Sequence, residues 1–550
     1  MHSTMQNIGL QIRRLLDHGA TVHSTSQVIT ADPTPDQPHR AGFADIASNA
    51  ARLAGALRAL GVRYGDRIAT FMWNNQQHVE AYFAVPAMGA ILHPLNIRLT
   101  SDQISYIVDH AKDKVVIVDH TLIDAFSRIL PQLTSVEHVI VNGTTDTTRL
   151  HIPGVLVHTY ATLLESQPET IDWPDIDENS AAAMCYTSGT TGNPKGVVYS
   201  HRSIYLHALA SSLPDAFDLS ARDTVLAVVP QFHVLAWGLP YSAFLTGASL
   251  ALPDRYLSPE PLTRFITAAD TSKGAAVPTV WTGLLRHLDQ RPSREPLPLL
   301  EAIVGGSAMP ASLLEAFAQR HNITMVHAWG MTEMSPLGTV SRPPAHAAAD
   351  QATRYQLTQG RLLGPVEAKL LDDSGRELPW DGTTVGELLV RGPWITASYY
   401  GDSEPDPDKF LDGWLRTGDV GRLSSNGYLT ITDRTKDIIK SGGEWIYSVE
   451  LEGLLIGHPA VAEAAVIGVP DDKWGERPLA AVVLADGHTA TAAELRNYLS
   501  THVARWQLPD KWSFIREVPK TSVGKFDKKA LRSQHAAGRL SVEHLYSTHN

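Results

Sequence analysis

Apolar and polar positions alternate in two rhythms over the first third of the chain. Phe43, Ile46, Leu53, Leu57 and Leu60 recur at helical spacing and stop at Gly61. Ile68 to Trp73 is then a short apolar run, set off by Gly65-Asp66 before it and Asn74-Asn75 after it. A helical stretch follows around His78 to Met88, and after it the run Ala90 to Pro94. Ser101 reads as the N-cap of a helix ending near His110, and Val115 to Val118 as a buried strand. Helices alternating with strands predict mainly parallel sheets covered on their faces.

The rhythm changes near Gly364. Short strands, Ala368 to Leu371 and Gly386 to Val390, alternate with turn clusters such as Asp372-Asp373-Ser374-Gly375. This predicts a β-rich subdomain over about 364–432. After Asp433-Arg434 the pattern is α+β again, with β-type runs Ala464 to Val469 and Leu479 to Leu484. The expected organisation is a large N-terminal domain over 1–432, a hinge at 433–437 and a small C-terminal lid over 438–550. The tail after about Arg532 is polar and reads as loosely held. The expected class is α/β: helix-covered mixed sheets plus the β-rich subdomain, and a small mobile α+β domain.

One stretch invites a different reading. From Thr224 to Pro253 there is no Asp, Glu, Lys or Arg, a length that could span a bilayer. Pro230, Gly238, Pro240 and Gly247 interrupt it, and Gln231 and His233 lie inside it. A buried strand–helix–strand passage is therefore expected, and no transmembrane segment.

Composition narrows the function. With 43% hydrophobic and 19% charged residues, the chain is ordinary for a globular protein and unlike a disordered one. The net charge of -12, without any Lys/Arg block, argues against a nucleic-acid partner. Anionic ligands must then be held by local sites. Cys185 is the single cysteine, so a disulfide within the chain and a cysteine-based metal site are both ruled out. No apolar run of signal-peptide length follows Arg13-Arg14, and a cytoplasmic location is expected.

The strongest chemical signal is Tyr186-Thr187-Ser188-Gly189-Thr190-Thr191-Gly192-Asn193-Pro194-Lys195-Gly196, entered from the apolar run Ala181 to Cys185. Glycines let backbone N–H groups approach anionic oxygens, four hydroxyls donate further hydrogen bonds, and Lys195 adds charge. It is a phosphate cradle, but not a Walker A loop, because the glycine-to-lysine spacing differs and Gly196 follows the lysine.

This segment resembles the signature of the acyl-adenylate-forming superfamily, which includes acyl-CoA synthetases, nonribosomal-peptide adenylation domains and beetle luciferases. The resemblance continues in order along most of the chain. Gly305-Gly306-Ser307-Ala308 is similar to the loop flanking adenine. Trp329-Gly330-Met331-Thr332-Glu333 is similar to the motif in which an aromatic ring stacks on adenine, the Thr contacts the α-phosphate and the Glu ligates magnesium; Trp329 stands where Tyr is commoner. Arg416-Thr417-Gly418-Asp419 matches the motif whose Asp holds the ribose hydroxyls, and Asp433-Arg434-Thr435-Lys436-Asp437 the hinge, with Arg434 also on the ribose. Lys440-Ser441-Gly442-Gly443-Glu444 matches the loop that enters for the second half-reaction, and Pro519 to Lys525 the C-terminal motif whose last lysine is catalytic.

The resemblance implies ATP and Mg2+ as cofactors, with Thr187 and Glu333 as metal contacts and Lys525, Thr332 and His233 as catalytic groups. It implies coenzyme A as co-substrate, met by Lys440, Gly442, Gly443 and Glu444. Lys436 is the implied hinge pivot, although an exposed lysine at a domain junction would look the same. Pro230 to Tyr241 resembles the acyl-pocket segment of medium- and long-chain fatty acyl-CoA synthetases, with His233 near the carboxylate and Trp237 gating a hydrophobic tunnel. A packed core aromatic is the other reading of Trp237. Leu235 departs from that branch, where Asn is expected. Val304, Leu337, Val277 and Trp281 are candidate pocket walls. The expected activity is a carboxylic acid–CoA ligase acting on a fatty or other hydrophobic acid. An aryl acid, or an amine, carrier-protein or nitrite acceptor, would leave the nucleotide motifs the same, and a homodimer is left open.

Overall fold

A computed structural model describes residues 1, 3–34, 36–187, 193–291, 295–521 and 524–545. The rhythms read from the sequence become helices at Phe43–Ala59, Gln76–Ala87 and Ser101–Ala111, and strands at Arg67–Phe71, Ile91–Pro94 and Asp113–Asp119. One cap differs. Thr100, not Ser101, closes the 101–111 helix, because Gln103 three residues on completes a reciprocal capping box with it.

Two sheets build the N-terminal body. The strands Arg67–Phe71, Ile91–Pro94, Asp113–Asp119, His138–Asn142, Leu156–Thr159 and Ala181–Thr187 run parallel, and Lys195–Ser200 joins at the edge as an antiparallel partner of Ala181–Thr187. The larger sheet has a parallel half made of Gln27–Thr30, Ser249–Leu252, Thr224–Ala227, Lys273–Ala276, Glu301–Gly305 and Thr324–Gly330. At Leu337–Val340 the pairing turns antiparallel. Through Gly360–Leu362 and its partner Tyr428–Arg434 the sheet continues into the antiparallel strands of the 364–432 region, ending at Glu377–Leu378. A third sheet, led by the hairpin Val461–Asp471 and Gly475–Leu484, is built wholly from strands after Asp437. The α/β class with helix-covered mixed sheets and a small α+β C-terminal unit is the architecture observed.

The uncharged stretch 224–253 is a strand, two short helices and a strand in the central core. No helix among the described residues is long and apolar enough to cross a membrane. Its helix Leu239–Thr246 places Phe244 face to face with Phe43, ring centroids 3.8 Å apart, which ties the first helices to the space between the sheets. The polar tail is held more firmly than its composition suggests. Leu531 is buried, Leu540 and Val542 pack beside it, and Glu543–His544 pairs with Lys511–Phe514.

The two faces of the Glu301–Gly305 strand enter different cores. Ile303 joins the cluster that contains Trp237 and Leu337, whereas Val304 joins Trp281, Leu262 and Phe317 under the helices of the other face. Val304 and Trp281 are therefore on the side opposite Trp237, because a strand turns successive side chains to opposite faces. Trp281 is fully buried and donates its N–H to the Ile303 carbonyl at 3.1 Å, as a core residue.

Trp281→Ala should lower stability by about 3–5 kcal/mol through its cavity, seen as an earlier thermal midpoint. Leu300→Ala, at a side chain 60% exposed, should stay within about 0.5 kcal/mol. Equal midpoints for the two variants would contradict this placement.

Candidate active site

The carboxyl ends of the Glu301–Gly305 and Thr324–Gly330 strands open beside each other, where the sheet changes from parallel to antiparallel. Crevices at such ends are where open α/β sheets bind ligands. Gly305-Gly306-Ser307 leave the first strand there, and the single turn Thr332–Met334 follows the second after Gly330 and Met331.

Into this crevice the C-terminal unit inserts Lys525. A Cβ on Gly306 would meet Lys525 Cε at 3.2 Å and Val277 Cγ1 at 3.3 Å, and Gly306 has φ +88°, so only glycine leaves this passage free. Gly524, at φ +82°, approaches Thr279 Oγ1 and Val277 Cγ2 at the start of the Pro278–Gln290 helix. The turn closes on itself: Lys525 N–H donates to Thr521 Oγ1 at 3.2 Å, and Thr521 N–H to the Lys525 carbonyl at 2.7 Å. Burial, followed by the charge of Arg434, pulls the Lys525 ammonium down to about 8, against the opposing pull of Asp419 and Glu333. His233, pushed down to about 3 by burial and then by Lys525, is a neutral imidazole beside that ammonium.

Asp419 lies across the crevice on the strand Trp414–Leu423. Its Oδ2 accepts the Trp329 indole N–H at 2.9 Å and its Oδ1 pairs with Arg434 Nε at 3.3 Å. Trp329 is only 8% exposed, and its ring edge lies where a Cβ on Gly338 would be, at 2.6 Å from Cζ3. Its N–H therefore orients the carboxylate, a task the phenol of the commoner tyrosine would perform with different geometry. Thr332 and Glu333 are 8% exposed; Tyr199 donates to the Thr332 carbonyl at 2.8 Å, and Tyr399 donates to Glu333 Oε1 at 2.8 Å.

Thr187 ends the strand that leads to the cradle. Ser188, Gly189, Thr190, Thr191 and Gly192 lie outside the described residues. Lys195, across the hairpin from Thr187, pairs with Asp406 at 2.9 Å.

The acyl segment is built on strain. Val234, Leu235, Ala236 and Trp237 all have φ between +47° and +56°, and Gly238 has φ +75°. A left-handed turn costs roughly 1–2 kcal/mol per non-glycine residue, so the surroundings must impose it. Asn74 does part of this: its side chain donates to the Ala227 and Val229 carbonyls and accepts the Gln231 N–H at 2.8 Å. The turn carries the Trp237 indole to the Gly305 backbone, where a Cβ would lie 2.8 Å from Cη2. Leu337 is held nearby through its N–H to His207 Nε2 at 3.2 Å, and Leu235 is buried in the same apolar cluster. His233, Trp237 and Leu337 are thus brought to one crevice, and Val304 is not.

The glycine hairpin lies elsewhere. Lys440 and Glu444 flank a turn in which Gly442 donates to the Trp474 carbonyl at 2.8 Å within the C-terminal sheet. Lys440 lines a cleft with Arg416, Glu387 and Thr435, not with Lys525. Beside it, the 433–437 segment is clasped by Arg532, which pairs with Asp437 at 2.6 Å and reaches the Lys436 carbonyl. Sequence reasoning missed Tyr199, Tyr399, Asp406, Asn74 and Thr279, and it named Val277 only as a pocket wall, whereas Val277 flanks Gly306 and Gly524 beside Lys525. None of these has a local pattern, and each matters through a partner far away in the chain.

Comparison with known proteins agrees with this geometry. Residues 16–400 match the AMP-binding enzyme family and residues 450–525 the AMP-binding enzyme C-terminal domain. The 3-methylmercaptopropionyl-CoA ligase of Ruegeria lacuscaerulensis is 43% identical, over 97% of this chain and 99% of its own. The medium-chain-fatty-acid–CoA ligase of Ectopseudomonas oleovorans is 42% identical over 97% and 98%, and the long-chain-fatty-acid–CoA ligase of Thermus thermophilus 42% over 97% of each. Among solved structures, an anthranilate CoA ligase in complex with anthranoyl-AMP is similar at a TM-score of 0.86 and 25% identity, covering 98% of this chain and all of that one. The chain belongs to the AMP-binding enzyme family.

Proposed function

We propose that this chain activates a fatty or similarly hydrophobic carboxylic acid as its acyl-AMP and passes the acyl group to coenzyme A. The chain is an AMP-forming acyl-CoA ligase; the hydrophobic acid is the narrower reading. The observation that supports it most is the placing, on neighbouring glycines of one strand end, of the Lys525 ammonium against Gly306 and of the apolar Trp237 indole against Gly305.

In the first half-reaction a carboxylate oxygen attacks the α-phosphorus of ATP, and the bond to the β-phosphate breaks with pyrophosphate leaving. Two anions must approach, so the protein contributes alignment and charge neutralisation. Lys525 sets its ammonium where the carboxylate and an α-phosphate oxygen meet, and the Thr332 hydroxyl meets the same phosphate. Asp419, oriented by Trp329 and Arg434, takes the ribose hydroxyls. Neutral His233 can contact the carboxylate without adding charge. The donor set fits magnesium arriving with the nucleotide: Glu333 offers one carboxylate, Thr187 a hydroxyl, and no cluster of three His, Cys, Asp or Glu exists among the described residues. Magnesium commonly takes one or two carboxylates and completes its shell with phosphate oxygens and water. When bound, it screens the phosphate charge.

In the second half-reaction the lid turns about 433–437, with Lys436 as pivot, and the Lys440–Glu444 hairpin replaces Lys525. The CoA sulfur attacks the acyl carbonyl carbon and AMP leaves.

A panel of aliphatic and aryl acids, scored by AMP release with and without CoA, tests the reading. Aliphatic acids should support release that depends on CoA for turnover. Trp237→Ala should move the chain-length preference upward at unchanged KM for ATP, because it deletes volume and no phosphate ligand. Activity with aryl acids alone, or an unchanged profile in a folded Trp237→Ala variant, would overturn it.

The lowered Lys525 pKa gives a pH signature. Burial and Arg434 favour its neutral form, so in the free enzyme the ammonium is lost as pH rises through about 8. ATP brings negative charge beside it and favours the ammonium. In pyrophosphate exchange, kcat/KM for ATP should fall above about pH 8, and kcat only at higher pH, since the two report the free and the bound enzyme. A kcat/KM that stays flat to about pH 10, as for an ordinary lysine, would contradict this.

A further inference from the structure

Glu333 is not left to find its own rotamer. The segment from Trp394 to Tyr400 crosses the 332–337 turn as a strap and contacts it repeatedly. Trp394 Nε1 donates to the Leu337 carbonyl at 3.0 Å, and its carbonyl accepts from Ser335 Oγ at 2.8 Å. Thr396 N–H donates to the Glu333 carbonyl at 2.8 Å, and Tyr399 Oη donates to Glu333 Oε1 at 2.8 Å. Among the described residues no donor is placed on Glu333 Oε2.

The strap also reaches the phosphate cradle. Tyr400 N–H donates to the Gly196 carbonyl at 2.8 Å, directly after Lys195. The Lys195 ammonium lies 4.7 Å from the centroid of the Tyr399 ring while it pairs with Asp406. Phe410 packs edge-on to the same ring at 5.6 Å. Tyr399 is 6% exposed, so its ring is fixed on three sides.

We propose that Tyr399 is a positioning residue for the metal-bound nucleotide: its hydroxyl occupies Oε1 of Glu333 and turns Oε2 toward the metal. It rests on the reading of Glu333 as the magnesium ligand. A hydrogen-bonded partner behind a carboxylate ligand fixes the ligand's orientation and raises metal affinity, by roughly 10–100-fold where such partners have been removed. The ring of Tyr399 serves the cradle in a second way, as a surface for the Lys195 ammonium. Tyr399→Phe separates the two roles, because it removes the hydroxyl and keeps the ring.

The test is ATP binding by calorimetry on wild type, Tyr399→Phe and Glu333→Gln, each with magnesium and with EDTA, together with the magnesium concentration at half-maximal pyrophosphate exchange. Tyr399→Phe should bind ATP in EDTA as wild type does, lose much of the tightening that magnesium gives, and need roughly tenfold more magnesium for exchange. Glu333→Gln should lose the tightening altogether. A Tyr399→Phe variant with the wild-type magnesium response overturns the proposal. So does one weakened equally in EDTA, since that marks a structural role. If Glu333→Gln keeps the full magnesium response, the assignment of Glu333 itself has failed, and the proposal falls with it.

Discussion

The structure depends on one ammonium group that belongs to one sheet system and docks in another. Lys525 comes from the C-terminal unit, yet its Cε lies against Gly306, at the mouth of the large N-terminal sheet. The attack of a carboxylate on a phosphate must overcome like-charge repulsion, and a single cation at the meeting point is worth most where water is excluded. Such a site has a cost. The same burial that strengthens the charge favours its loss, and Asp419 and Glu333 offset this across the crevice. Arg434 opposes them, while it pairs with Asp419, the proposed ribose ligand.

A cation on the far side of a hinge is also one that can leave. The Lys440–Glu444 hairpin rests on Trp474, outside the crevice, while Lys525 fills it. In the proposed cycle this is the arrangement for adenylation. Polar contacts surround the proposed hinge. Asp433 accepts from the Ser448 hydroxyl at 2.7 Å, Lys528 donates to that hydroxyl at 2.6 Å and pairs with Glu452, and Arg532 holds Asp437. Such contacts can be exchanged during a rotation without exposing a hydrophobic core, whereas the N-terminal sheets are locked by stacked aromatic side chains such as Phe43 on Phe244.

Much of this was legible before any coordinates. Periodicity placed three helices and three strands between Phe43 and Asp119 to within a few residues, because amphipathic faces are a local property, while elements such as Ile12–Val22 and His138–Asn142 were not read. The ordered motifs named Lys525, Asp419, Thr332 and Glu333 as one site although they are far apart in the chain. What could not be read was relational. Val304 looks like any other apolar residue at a strand end, but strand parity turns it away from Trp237. The left-handed turn at 234–237 has no sequence signal, since Val, Leu, Ala and Trp all avoid positive φ and only the packing imposes it. Tyr399 acts on Glu333 through one hydroxyl from a separate segment, which no spacing rule could reveal.

The most direct test of the Lys525 docking is a single-turnover comparison of the two half-reactions in Lys525→Ala. Two unit charges about 4 Å apart interact by roughly 4 kcal/mol at an effective dielectric near 20. Losing most of that in the transition state should slow acyl-AMP formation by on the order of 10²–10³. Transfer to CoA from pre-made acyl-AMP should remain near the wild-type rate, because in the proposed cycle the glycine hairpin and not Lys525 serves that step. Equal loss in both half-reactions of a folded variant would contradict the account.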